Sequence, residues 1–344
     1  MARKLALALA LGATMIAPVG AVTAAPPQRD PLPLSLVADL PLPGRATRFD
    51  YQSVDAEHRR LYIAHLGDDS LIAFDLDSQR VLHEVTGLPS VHGVVAAPER
   101  HLLFATATAD RTLAIIDDQT FRIRSRVPAG AYPNGLAYDP TSDRVFVSNN
   151  TGRGVAVIDV KDDRALESIN IGGGAGNTQY DRATGHVLAA VHGLPFLVEI
   201  DPAALRVTAR IALHRVSTCH GLLVASELRL AFAACRGAAP LLAVVDLGTR
   251  HQTMTLSLPA EIDVLAFDSA LRRLYAASET GTVAVFGVAT DGSVTEIGRG
   301  FLGPNAHTVA VDPATHRVYF PLENQGGHPI LRVMAPVLPP AHSE

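Results

Sequence analysis

The chain has 344 residues, of which 48% are hydrophobic and 18% charged, with a formal charge of −5. That composition can bury a large interior and excludes a disordered chain. The acidic balance, with no Lys/Arg run, argues against nucleic acid as a partner, since phosphate neutralisation needs a basic footprint.

From the N-terminus, residues 1–25 read as an export signal. Arg3 and Lys4 form the charged start, Leu5 to Val19 the apolar stretch, and Val22-Thr23-Ala24-Ala25 a small-residue cleavage site. Gly12 and Pro18 interrupt the apolar run, which suits a cleaved signal better than a membrane span. The expectation is therefore a periplasmic or secreted protein with no membrane span. Residues 26–33 read as a Pro-rich linker and 337–344 as a tail.

Between them, over residues 34–336, one segment recurs seven times: RRLYIAHL (Arg59 to Leu66), HLLFATAT (from His101), DRVFVSNN (from Asp143), GHVLAAVH (from Gly185), LRLAFAAC (from Leu228), RRLYAASE (from Arg272) and HRVYFPLE (from His316). A turn such as AYDPTSD or AVDPATH precedes most copies, and a second apolar run such as LIAFDL or VAVIDV follows each. Short alternating runs bounded by Gly, Pro, Asp and Asn are strand signals, and a fixed period of about 43 residues with some four strands per unit is that of a propeller blade. The fold expected is all-β: a seven-bladed β-propeller of four-stranded antiparallel blades, with WD40-like repeats starting near residues 50, 92, 134, 177, 220, 263 and 307. The last repeat lacks an outer strand, and Leu34 to Leu42 is expected to supply it, closing the ring and covering an open edge.

The phrase Pro133-Asn134-Gly135-Leu136-Ala137-Tyr138-Asp139-Pro140, followed by Arg144-Val145-Phe146-Val147-Ser148-Asn149-Asn150, resembles the repeat of the YVTN family, to which YncE-like periplasmic propellers belong. The resemblance covers nearly all of the mature chain. It implies the propeller fold; the family includes binding proteins and pieces of redox enzymes, so it implies no single activity.

Aligning the repeats gives the residue that opens each innermost strand: Asp50, His92, Asn134, Asn177, His220, Asp263 and His307. In a propeller these seven should ring one mouth of the central channel. All are polar and three are histidine, the commonest neutral metal ligand. Fifteen residues further on, the next strand returns to the same mouth with His65, Ala107, Asn149, His192, Cys235, Ser278 and Leu322, the last beside Glu323. The candidate metal ligands are His65, His92, His307 and Asp50 on one arc, flanked by Asp263, and His192 and His220 on another. Mixed imidazole and carboxylate ligands suit Zn, Cu, Ni or Fe better than Ca. The plainer reading of the ring is a polar, water-filled mouth.

His58, His101, His186 and His316 lie in or beside turns and read as ordinary surface residues. His214 and His251 belong to outer strands, and His328 to a loop. Cys219 and Cys235 end neighbouring strands of one blade, where a disulfide is favoured over a thiol pair or a metal ligand. The repeated Asp75, Asp117, Asp159, Asp201 and Asp246 read as turn-forming side chains.

The sequence has no CxxCH for covalent haem, no GxGxxG in a strand-to-helix context and no Walker A loop for a nucleotide, no GxSxG and no HExxH. The leading reading is a non-enzymatic binding or accessory protein whose His/Asp mouth holds a metal ion or a small ligand. One alternative is a metal-dependent hydrolase or lactonase working at the same mouth, as gluconolactonase-like propellers do with mostly Asp, Asn and Glu ligands. The other is a scaffold for a periplasmic protein partner.

Overall fold

The structure is a computed structural model and describes residues 31–338. The expected export signal, residues 26–30 of the linker and residues 339–344 of the tail lie outside the described residues. Among those described there is no α-helix, and no helix is long and apolar enough to cross a membrane.

Seven antiparallel sheets form the blades of a propeller. Their innermost strands are Gln52–Asp55, Val91–Ala97, Pro133–Asp139, Ala175–Asp181, Thr218–Ala225, Ile262–Asp268 and Ala310–Val311. Three further strands step outward from each; in blade 2 they are Leu102–Ala107, Thr112–Asp117 and Ile123–Pro128. In blade 3 the outer strand is split into Arg164–Ala165 and Ile169–Asn170, both paired with Gly154–Asp159. The outermost strand of blade 7 is Leu34–Pro41, antiparallel to His328–Pro336. The innermost strands of blades 7 and 1 are in contact, so the ring is closed and the edge of the last blade is covered.

The repeat pattern explains the packing. One aligned position of each recurring segment, Tyr62, Phe104, Phe146, Leu188, Phe232, Tyr275 and Tyr319, lies on the second strand and is buried. Neighbouring side chains on that strand point to opposite faces, so each blade packs against both neighbours. Among the described residues the apolar core is accordingly seven clusters, one at each seam between blades.

The turn from the first to the second strand recurs in detail. It ends in a left-handed residue, φ between 51° and 60°, at Arg59, His101, Asp143, Arg229, Arg272 and His316. In five of these blades a residue at or just beyond the end of the third strand donates its N–H to that residue's carbonyl: Leu76 to Arg59, Asp118 to His101, Val160 to Asp143, Leu247 to Arg229 and Val288 to Arg272.

Candidate ligand site at the channel mouth

The ring residues owe their direction to irregular backbone. In blades 2 to 6 the pairing of the first two strands shifts register where they stand, between Val91 and Val94, Pro133 and Leu136, Ala175 and Thr178, Cys219 and Gly221, and Ile262 and Val264. Such bulges re-aim side chains out of the alternating pattern. They also bring one blade close to the next: a Cβ on Gly93 would lie 2.4 Å from the Asn134 carbonyl oxygen, and one on Gly221 would lie 2.8 Å from that of Asp263. Only glycine fits at such an approach. In blades 1 and 7 the innermost strand starts late, and Asp50 and His307 lie in the extended segments before it.

That arrangement gathers Asp50 of blade 1, Asp263 of blade 6 and His307 of blade 7, with one ligand atom of each within 4.8 Å of the others. All three are buried, and Asp50 Oδ1, Asp263 Oδ1 and His307 Nε2 have no hydrogen-bond partner. The His307 Nδ1–H donates to the Asn305 carbonyl at 3.0 Å, which leaves the Nε2 lone pair toward the carboxylates.

The electrostatics divide the two acids. Burial, and then the neighbouring Asp263, push Asp50 up to about 7 against the pull of His307 and Arg48. Burial also opposes ionisation of Asp263, but His220, His307, Arg236 and Arg48 outweigh it and hold that carboxyl below its ordinary range. The two guanidiniums cover the site: Arg48 lies 3.6 Å from Asp263 and 3.4 Å from Glu279, and Arg236 lies 3.6 Å from each.

The other histidines divide. His92 Nδ1 contacts the Ser90 carbonyl and Thr108 Oγ1, both at 2.8 Å, and its Nε2 is 3.9 Å from Asp50 Oδ2, at the edge of the cluster. His192 Nε2 and His220 Nδ1 are 2.8 Å apart, and His220 Nε2 is 3.2 Å from Asp263 Oδ1. Burial keeps His92, His192 and His220 below the usual imidazole range, His192 at about 4, where the nearby His220 and Arg236 add to the effect. All three are therefore neutral at pH 7.

His65, expected among the metal ligands, is placed elsewhere. It is fully buried within blade 1, stacked on Phe49 at 4.1 Å, with Nε2 3.0 Å from Thr47 Oγ1. The segment before Asp50 packs against the end of the second strand, and His65 is not among the residues gathered with Asp50, Asp263 and His307. Cys235 cannot serve as a ligand either, because it lies directly opposite Cys219 and the two are joined as a disulfide.

Asn134 and Asn177 complete the ring, both buried. Several residues outside the ring register also reach the mouth: Arg48, Arg236, Glu279, Tyr132 and Tyr51. The Tyr51 hydroxyl crosses from blade 1 to donate to Asn177 Oδ1 in blade 4 and lies 3.5 Å from His220 Nε2 in blade 5. Above the ring is a cavity of about 200 Å³ lined by His92, Tyr132, His192, His220, Arg48, Arg236 and their neighbours. A second depression of about 640 Å³ shares Arg48, His92 and Tyr132 with it and adds Arg111.

No family model and no curated protein matches the sequence. Among solved structures, the chain is similar to one described as Kuenenia stuttgartiensis hydrazine synthase, with a TM-score of 0.69 and 15% sequence identity over 86% of this chain and 96% of that one. At that identity the likeness is one of fold.

Proposed function

We propose that this chain is an exported binding or accessory propeller of the YVTN, YncE-like type, whose channel mouth holds a divalent transition-metal ion on Asp50, Asp263 and His307. The observation that carries this reading is three buried residues that bring ligand atoms within 4.8 Å of one another, with Asp50 Oδ1 and His307 Nε2 lacking any hydrogen-bond partner. Leaving such atoms unpaired costs free energy that a bound cation would recover. The donor set also fits: one imidazole held by a backbone carbonyl and two carboxylates suit Zn, Fe or Mn, and the Nδ1 contact is the outer-shell support that metal-bound histidines use. Arg48, Arg236 and the neutral His92 would surround an open coordination position, where a small anionic ligand would be favoured. The repeat phrases support the family assignment, and the Cys219–Cys235 bridge suits an oxidising compartment such as the periplasm.

Elemental analysis of protein purified from the periplasm without a metal-affinity tag tests the metal. The expected result is about one equivalent of transition metal fewer in His307→Ala than in the parent. Equal metal in both proteins would overturn the reading. Turnover of lactones or esters by the metal-loaded protein would replace the binding role with the hydrolase.

A further inference from the structure

The opposite face of the propeller holds a second constellation, at the seam between blades 1 and 2. His58 of blade 1 and His101 and Asp118 of blade 2 each offer a ligand atom within 4.8 Å of the others. The two imidazole centroids are 5.4 Å apart.

Asp118 is the unusual member. It occupies the position at the end of the third strand whose N–H bonds back to the turn, and the equivalent residues Leu76, Val160, Leu247 and Val288 are apolar and buried. Asp118 is only 1% exposed, yet neither of its carboxylate oxygens has a hydrogen-bond partner. Burial pushes its ionisation upward despite Arg60, His101 and His58 nearby. A buried carboxylate with both oxygens unsatisfied, where the fold otherwise places Leu or Val, opposes stability unless something pairs with it.

The seam also departs from its counterparts. At three other seams the left-handed turn residue of one blade pairs with an aspartate at or just after the end of the preceding blade's first strand: Arg59 with Asp312 at 2.6 Å, His316 with Asp268 at 2.9 Å, and Arg229 with Asp181. At the first seam the corresponding aspartate, Asp55, is taken by His58 of its own turn. It accepts from the backbone N–H at 2.9 Å and from Nδ1 at 2.8 Å. His101 is left 3.6 Å from Asp118 instead. With Asp55 accepting from Nδ1, His58 presents Nε2, the carboxylate-supported arrangement of metal-binding imidazoles.

We propose that His58, His101 and Asp118 form a divalent metal site of zinc class that staples blades 1 and 2 on the face opposite the mouth. Two imidazoles and one carboxylate make a three-ligand set, and the exposed side of His101 leaves a fourth position to water. This site does not depend on the reading of the mouth.

The test uses metal-free protein in a His307→Ala background, so that the mouth does not contribute. Zinc stoichiometry by chelator competition is followed with the thermal midpoint, in that parent and with His101→Ala, Asp118→Leu or Asp118→Asn added. The parent should bind one zinc that each added substitution removes. Zinc at a hundredfold excess over its dissociation constant should raise the parent's midpoint by about 4 °C and leave the variants unmoved. Asp118→Leu, which installs the residue type of the other blades, should also raise the metal-free midpoint, and Asp118→Asn serves if that variant does not fold. Unchanged stoichiometry and shift in the variants would overturn the proposal. So would loss of zinc in His101→Ala with retention in both Asp118 variants, since exposed imidazoles alone would then account for the ion.

Discussion

His92 and His307 are oriented by the same contact: each Nδ1 meets the carbonyl oxygen of the residue two before it, Ser90 at 2.8 Å and Asn305 at 3.0 Å. Both rings therefore turn Nε2 toward the channel, but only that of His307 falls within the group formed with Asp50 and Asp263. His307→Ala should weaken zinc binding at the mouth by about 100-fold or more, because it removes a direct ligand, where loss of outer-shell partners alone costs roughly 10- to 100-fold. His92→Ala should cost less than about tenfold. Isothermal titration with His101→Ala present in every protein compares the two.

Acidity should govern the same site. The carboxyl of Asp50 is raised from its ordinary 3.8 to about 7, so in metal-free protein it favours folding fully below pH 4, and that contribution is lost as the pH rises through 7. Asp50→Asn should therefore stabilise the metal-free protein at pH 8, by at most about 4 kcal/mol, and have little effect near pH 4. Urea unfolding at the two pH values checks this. Metal binding by the parent should strengthen between pH 6 and 8 as the Asp50 proton leaves.

The Cys219–Cys235 bridge closes a short loop across the strands that carry His220. Replacing both cysteines by Ala should lower unfolding stability by about 3 kcal/mol, the loop-closure figure for a ring of this size. Denaturant unfolding without reductant measures the loss, and titration of the unfolded, unreduced parent should find no free thiol.

Deleting residues 31–41 should leave His328–Pro336 as an uncovered edge strand. The truncated protein should associate in a concentration-dependent way, visible by light scattering, as open edges pair with one another. A monomeric truncation of unchanged melting temperature would contradict the role given to Leu34–Pro41.

The blades were legible because a repeat states its pattern seven times, and an aromatic or Leu at the aligned position of each segment can only be the buried residue of a strand packed on both faces. The same alignment marked Asp50, Asp263 and His307. It failed at His65, because register gives the end of a strand and not what lies over it, and in blade 1 the segment holding Thr47 and Phe49 lies against that end. Arg48, Arg236 and Glu279 escaped notice because long side chains reach the mouth from outside the ring register. Tyr51 did leave a signal: it follows its ring residue where blades 2, 3 and 5 place Gly93, Gly135 and Gly221. His58 and His101 read as surface turn residues, since nothing local to them reveals a carboxylate seventeen positions beyond His101 in the slot of a Leu.

A ring of repeats transmits strain only around its circumference, since each unit touches the one before and the one after. The hydroxyl of Tyr51 adds a chord to that circle, tying blade 1 to blades 4 and 5 across the axis. Breathing at one seam is then felt on the far side without passing through the blades between.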